Sequence, residues 1–247
     1  MIRIDDYEQL KTKIVNWISD YCWKYDIKSL VVGVSGGIDS AVVSTLCAEP
    51  GLPTYVLTMP LHSKEENTEL SNAHASALVK KYYNVTNVNV DLSETYDKFM
   101  LHVDDTFTDN QLANANTKSR LRMVTLYQVA GSVGGIVVGT GNKVEDYGVG
   151  FYTKYGDGGV DIAPIADLYK SEVWELGEFL GVDERICDAI PTDGLWDDGR
   201  KDEDQIGASY EQLEEAMEYR KGPALDILDE FNRKNKHKME PIPTFKL

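Results

Sequence analysis

A β-branched apolar run, Leu30 to Val34, stops abruptly at Ser35-Gly36-Gly37, and a helical apolar pattern resumes at Ile38. This junction constrains the fold more tightly than any other stretch. The run has the character of core, yet it ends in glycines, serines and an aspartate, reading "GVSGGIDS". A strand, a glycine turn and a helix start together present free backbone N–H groups to an anion, and the helix N-terminus adds partial positive charge. Glycine lets the main chain approach a phosphate with no Cβ in the way. Gly36 and Gly37, with the hydroxyls of Ser35 and Ser40 as further donors, are therefore expected to hold a phosphate. Asp39 would repel a phosphate unless a cation bridges them, which points to Mg2+, an oxygen-seeking ion. Neither G-x-x-x-x-G-K-[ST] nor G-x-G-x-x-G is present. A plain βα turn with Ser35 as helix cap is the alternative reading.

The remaining pattern supplies the setting. Apolar β-rich runs recur at 54–59, 87–92 and 135–140, separated by helical patterns at about 64–82 and 94–132, the second interrupted. A helical spacing also covers 7–25. Strands alternating with helices predict βαβ units in a parallel sheet, with ligands outside the carboxyl ends of the strands. The fold class expected is thus α/β: a doubly wound parallel sheet with flanking helices, in one domain spanning 1–247. Residues 141–161 carry six glycines in 21 positions and no periodicity, so they read as a long loop. Helices are expected again at 168–180 and about 205–236. The charged stretch 191–205 between them reads as a mobile lid. Trp17, Tyr21 and Trp23 on the first helical pattern read as core.

Charge and cysteine usage narrow the function. The net charge of −16 opposes nucleic-acid binding, which relies on Lys and Arg at phosphates. Cys22, Cys47 and Cys187 fit neither a disulfide framework nor a C-x-x-C site and read as buried free thiols. Thiol-based sulfur transfer is correspondingly disfavoured. No apolar run reaches the ~20 residues of a membrane span, and the first residues lack a signal pattern; a cytoplasmic location is expected.

The stretch "SGGIDS" resembles the pyrophosphate-binding loop of N-type ATP pyrophosphatases. Further along the chain, "NTKSRLRM" (116–123), "GTGNKVE" (139–145), "FYTKYGDGGVDIAPIADLYKSEV" (151–173), "PT" (191–192) and "HK" (237–238) follow in one order. Together they resemble the NAD synthetases, a family with the adenine nucleotide α hydrolase-like fold. The resemblance implies adenylation of the nicotinate carboxylate of nicotinic acid adenine dinucleotide (deamido-NAD) by ATP. Ammonia would then attack, releasing AMP and forming the amide. It assigns ATP contacts to Gly33 through Ser40, Thr140, Lys170 and Thr192, and Mg2+ to Asp39 and Glu145. Deamido-NAD contacts fall to Arg120, Lys154, Asp161, His237 and Lys238. A homodimer is also implied.

The residues themselves fit most of these roles. Thr140 follows a β run and should lie at a strand's carboxyl end. Glu145 reads equally as a second oxygen ligand and as a solvated loop carboxylate. Lys170 is a surface lysine by default, but a departing pyrophosphate needs a cation, and no P-loop lysine exists here. Arg120 and Arg122 lie two apart on a helix, so one can enter a cleft while the other is solvated; the resemblance selects Arg120. His237 and Lys238, in the basic segment "NRKNKHKMEP", read alone as a frayed tail. Asp157 could accept the proton that ammonium loses before attack, and with Lys170 it completes the expected catalytic pair.

The chain departs from the family pattern in three places. Ala115 and Ser119 replace glycine and alanine around the substrate arginine, the loop after Glu145 is one residue longer, and "QIGASY" carries Gln205 where a carboxylate is usual. The rival readings are another adenylating pyrophosphatase with a different acceptor, and a regulatory module that binds ATP without turnover. No part of these 247 residues is left over for a glutamine amidase domain, so free ammonia is the expected nitrogen source.

Overall fold

The computed structural model describes residues 4–192, 194–196 and 200–246. In chain order the elements that frame the site are α1 (Tyr7–Lys24), β1 (Ser29–Gly33), α2 (Ile38–Ala48), β2 (Thr54–Thr58), α3 (Glu65–Lys81), β3 (Val85–Asn89), α4 (Ser93–Met100), α5 (Gln111–Val133) and β4 (Gly135–Val137). There follow α6 (Lys170–Leu180), α7 (Glu184–Cys187), α8 (Asp202–Ile206), α9 (Tyr210–Tyr219) and α10 (Leu225–Met239). The strands are all parallel, in the order β3-β2-β1-β4. The chain therefore winds outward through β2 and β3, then crosses back to place β4 on the other side of β1. This reversal opens a crevice at the carboxyl ends of β1 and β4, where ligands of such sheets bind.

The two-residue period of β1 divides the core. Leu30 and Val32 face one layer with Val56, Ile136 and Val138, covered by α1, α2, α3 and α6. Val31 faces the other layer with Leu57 and Val137, under α5 and Tyr96 of α4. Because both of its faces are covered, β1 reads as a continuous apolar run rather than an alternating one. A separate apolar cluster joins α9 and α10 to Val144 and Val149, beside the crevice.

Several expectations needed adjustment. β3 runs from 85 to 89 rather than 87 to 92, because Val85 to Asn89 pair in register with Thr54 to Thr58. β4 ends at Val137, followed by a single bridge from Val138 to Ile162. The interruption before α5 falls at 101–110, and α5 itself is continuous, starting at Asn110, whose side chain accepts from Ala113 N. The expected loop 141–161 contains a π-helical turn, Val144–Val149. The expected lid ends in helix: α8 begins at Asp202, and Asp202 N donates to Pro191 O (3.1 Å), tying the segment's two ends together. Residues 193 and 197–199 of that lid lie outside the described residues.

The aromatic residues of α1 also differ from expectation. Trp17 is 45% exposed and Trp23 87%. The buried stripe of α1 is Ile14, Ile18 and Cys22, spaced by four, and both tryptophans fall off it. Cys22 and Cys47 are buried free thiols and Cys187 is half-buried. Among the described residues, no helix is long and apolar enough to cross a membrane.

Candidate active site

The stretch Gly33 to Ser40 lines a cavity of about 290 Å3 at the carboxyl end of the sheet. Its shape is fixed by its own hydroxyls. Ser40 Oγ donates to Gly37 O (2.9 Å) and accepts from Ser35 N (3.2 Å), and Gly37 N donates to Ser35 Oγ (3.3 Å). Gly36 has φ +91°, and a Cβ there would stand 2.8 Å from the Asn67 carbonyl oxygen, so only glycine fits. No side chain caps the first turn of α2. The cavity thus meets a helix N-terminus, with its open donors and partial positive charge.

Across this turn, three charges converge from distant parts of the chain. Lys170, the first residue of α6 and only 3% exposed, forms ion pairs with Asp39 Oδ2 and with Glu145 Oε1 (3.2 Å). Asp39 comes from the first turn of α2 and Glu145 from the π-helical turn. Asn142, fully buried, donates to Asp39 Oδ1 (3.1 Å) and accepts from Val144 N and Glu145 N. The same side chain therefore positions both acids. Tyr210, at the start of α9, donates to Glu145 Oε1 (2.7 Å). Burial alone would lower the Lys170 pKa; the two carboxylates overcome it and hold the ammonium well above its ordinary value.

One ammonium against two carboxylates leaves the group negative in a poorly solvated place. Among the described residues no cluster of three or more His, Cys, Asp or Glu could hold a metal ion. The protein thus offers two hard oxygen donors beside a phosphate turn, which fits Mg2+, an ion that takes few carboxylates and completes its shell with phosphate and water.

Thr140, Asp157 and Thr192 line the same cavity. Thr192 Oγ1 donates to Arg200 O (3.1 Å) and accepts from Gly194 N (3.3 Å). Asp157 lines the cavity as an exposed residue. Its Oδ1 accepts from Ser119 Oγ (2.7 Å) and Thr153 N (3.0 Å). Desolvation raises its pKa, against these hydrogen bonds, which lower it.

The other expected substrate residues form a second group outside the cavity lining. Arg120, exposed on α5, donates to Lys154 O (3.3 Å), and Lys154 Nζ donates to His237 O (2.9 Å). Lys238 donates to the carbonyls of Gly150 and Tyr152 and lies 4.9 Å from the Tyr152 ring centroid. Desolvation lowers the Lys238 pKa. The basic segment around His237 and Lys238 is thus not a frayed tail but the last turns of α10. Asp161 accepts from Val137 N (2.7 Å) and Tyr127 Oη (3.1 Å), which ties β4 to α5.

The two arginines diverge, as residues two apart on a helix must. Arg122 lines the cavity and donates to Met59 O (3.2 Å), while Arg120 lies on the outer face. Their separation on the helix predicted that they diverge, but a single helix cannot say which of its faces meets the crevice. Sequence reasoning also passed over Asn142 and Tyr210, although both lie in quoted motifs, "GTGNKVE" and "QIGASY". Their signal was a polar residue at the edge of an apolar stretch.

Comparison with known proteins identifies the family. The model of the NAD synthase family matches residues 10–242. The chain is 37% identical over 239 residues to the NH(3)-dependent NAD(+) synthetase of Carboxydothermus hydrogenoformans, covering 94% of this chain and 95% of that one. Among solved structures it is similar to NMN synthetase from Francisella tularensis, with 33% identity and a TM-score of 0.91, covering 99% of this chain and 100% of that one. It is also similar to the NH3-dependent NAD synthetase of Campylobacter jejuni, at 26% identity and a TM-score of 0.77, covering 98% and 100% of the two chains. With the phosphate turn, its carboxylates and its lysine all inside the matched span, the chain belongs to the NAD synthase family.

Proposed function

We propose that this protein joins ammonia to the nicotinate carboxylate of deamido-NAD, using ATP and releasing AMP and pyrophosphate. The observation that carries the reading is the convergence of Lys170, Asp39 and Glu145 on the phosphate turn. In the first step a carboxylate oxygen of the acceptor attacks the α-phosphorus of ATP, pyrophosphate leaves, and an acyl adenylate forms. In the second, ammonia attacks the acyl carbon and AMP leaves with the bonding electron pair. The backbone N–H groups of 33–40 hold the phosphates, and the Lys170 ammonium stabilises the charge that develops on the leaving pyrophosphate. Thr140 and Thr192 fix the nucleotide from the cavity wall. Asp157 takes the proton that the nitrogen sheds, a role for which a raised pKa suits a carboxylate. No covalent enzyme intermediate is needed, so the chain contributes positioning and charge. Asp39 and Glu145 would hold Mg2+, which would neutralise charge on the polyphosphate.

Arg120, Lys154, Asp161, His237 and Lys238 form the acceptor's outer subsite in this reading. The enzyme works as a cytoplasmic homodimer, with Val124 and Tyr127 on the exposed face of α5 next to Arg120. Light scattering at micromolar concentration checks the dimer.

The reading is tested by supplying Mg-ATP, deamido-NAD and ammonium and following NAD, AMP and pyrophosphate together. Equimolar products that vanish in Asp39→Ala support it; pyrophosphate without NAD redirects the search to another acceptor. A second reading has its own support: the TM-score to an NMN synthetase, 0.91, exceeds that to an NAD synthetase, 0.77. Lys154 and Lys238 also bind carbonyls of their own chain. The acceptor would then be the deamido mononucleotide, converted by the same two steps. The ratio of kcat/KM for the two acids decides between them.

A further inference from the structure

Tyr210 lies in α9, outside the sheet, the phosphate turn and every element that carries an expected site residue. The residue is 1% exposed, and its ring meets that of Trp174 edge-on at 6.0 Å and sits 5.0 Å from Lys170 Nζ. The hydroxyl of a buried tyrosine needs an acceptor, and any carbonyl would serve. Here the acceptor is Glu145 Oε1, the same oxygen that receives Lys170. Two donors from two helices thus meet on one oxygen of this carboxylate. Oε2 is left as the oxygen that can turn to a cation.

Glu145 has little else to hold it. It stands near the start of a π-helical turn, and Asn142 steadies it only through the main chain. Tyr210 is itself fixed at its backbone, where its N–H donates to Glu203 Oε1 (2.9 Å) of α8. α8 forms the end of the segment whose start, Pro191, borders the cavity. A chain of contacts therefore runs from that segment through Glu203 and Tyr210 to the acid at the phosphate turn.

We infer that Tyr210 is a positioning residue, which orients Glu145 so that one carboxylate oxygen stays available to the divalent cation. This rests on the proposed metal role of Glu145. Partners of metal-bound carboxylates carry substantial weight, and their loss typically costs roughly 10–100-fold in metal affinity. A structural role alone would move folding stability without moving metal affinity.

The test measures binding of Mn2+ with ATP to the full-length protein by electron paramagnetic resonance, which needs no turnover. Tyr210→Phe keeps the ring and its packing and is expected to weaken Mn2+ binding about tenfold, with circular dichroism unchanged. Added to Glu145→Gln, it should cause no further loss, because the two act through one group. Glu203→Gln, which touches neither the cavity nor Glu145, should reproduce part of the effect and serves if Tyr210→Phe does not fold. Equal Mn2+ affinity in wild type and Tyr210→Phe, or additive losses with Glu145→Gln, overturn the inference. Failure of the wild type to bind Mn2+ with ATP would instead overturn the metal role of Glu145.

Discussion

Two groups of charged residues meet near the carboxyl end of the sheet, and they are built differently. In the inner group, Lys170, Asp39 and Glu145 point at one another with little water between them. In the outer group, Arg120, Lys154 and Lys238 donate to backbone carbonyls of loops and of α10. A buried charge must be paired, so the inner geometry is obligatory once the chain has folded. These cations are less enclosed than Lys170, Arg120 being exposed and Lys154 and Lys238 half-buried, so exchanging a carbonyl for another acceptor costs less there than breaking a buried pair. On the proposed function, the inner group would serve the chemistry common to every substrate, and the outer group would suit adjustment to one acceptor or another.

Each prediction tests that contrast. The largest effect is expected for Lys170→Met, which strands two carboxylates around a vanished ammonium. Breaking a buried pair in this way costs on the order of 3–5 kcal/mol, read by urea unfolding, and pyrophosphate release should fall by about a thousandfold or more. A variant of ordinary stability would show that the inner group is not obligatory. Asp39→Asn keeps shape and leaves Lys170 its bond to Glu145. It should fold normally yet lose roughly 100–1,000-fold in kcat, the range for removing one preorganised electrostatic contact.

The third prediction concerns pH. His74 of α3 is buried under the helix that carries the phosphate turn, and its Nε2 meets Ser44 Oγ of α2 at 2.9 Å. Burial pushes its pKa down from about 6.5 to about 4. The unfolded chain thus binds a proton that the folded chain refuses, so stability is full above pH 6.5 and falls as pH drops toward 4. The loss is on the order of 3 kcal/mol, and His74→Gln should flatten the profile in that window. The smallest effect belongs to the outer group. Lys154→Gln should leave stability within about 0.5 kcal/mol and kcat near normal, while raising the acceptor KM several-fold. A loss in kcat as large as that of Asp39→Asn would erase the distinction between the groups.

Much of this was legible beforehand. The junction at 33–40 needed only a β run, two glycines and a helix start, all local signals. β1 and β2 followed from apolar runs and turn residues, since a strand covered on both faces has no polar alternation to read. The boundaries of β3 and β4 were less legible, because pairing register decides where a strand ends. The placement of Trp17 and Trp23 failed for a related reason. A helix carries several apolar stripes when it is rich in aromatics, and only packing chooses the one that is buried. For the arginine pair, divergence was local knowledge, but which of Arg120 and Arg122 faces the cavity depends on how α5 lies on β1 and β4.

What the sequence by itself determined is the glycine turn at 33–40 and the succession of strands and helices around it, because backbone geometry and residue period act over a few positions. Only the tertiary structure decided that Lys170 meets Asp39, 131 residues away, and that Tyr210 reaches Glu145 across 65. No local rule spans such distances. They are closed by parallel crossovers that bring every strand's carboxyl end to one edge, and by burial, which requires each converging charge to find a partner within the protein.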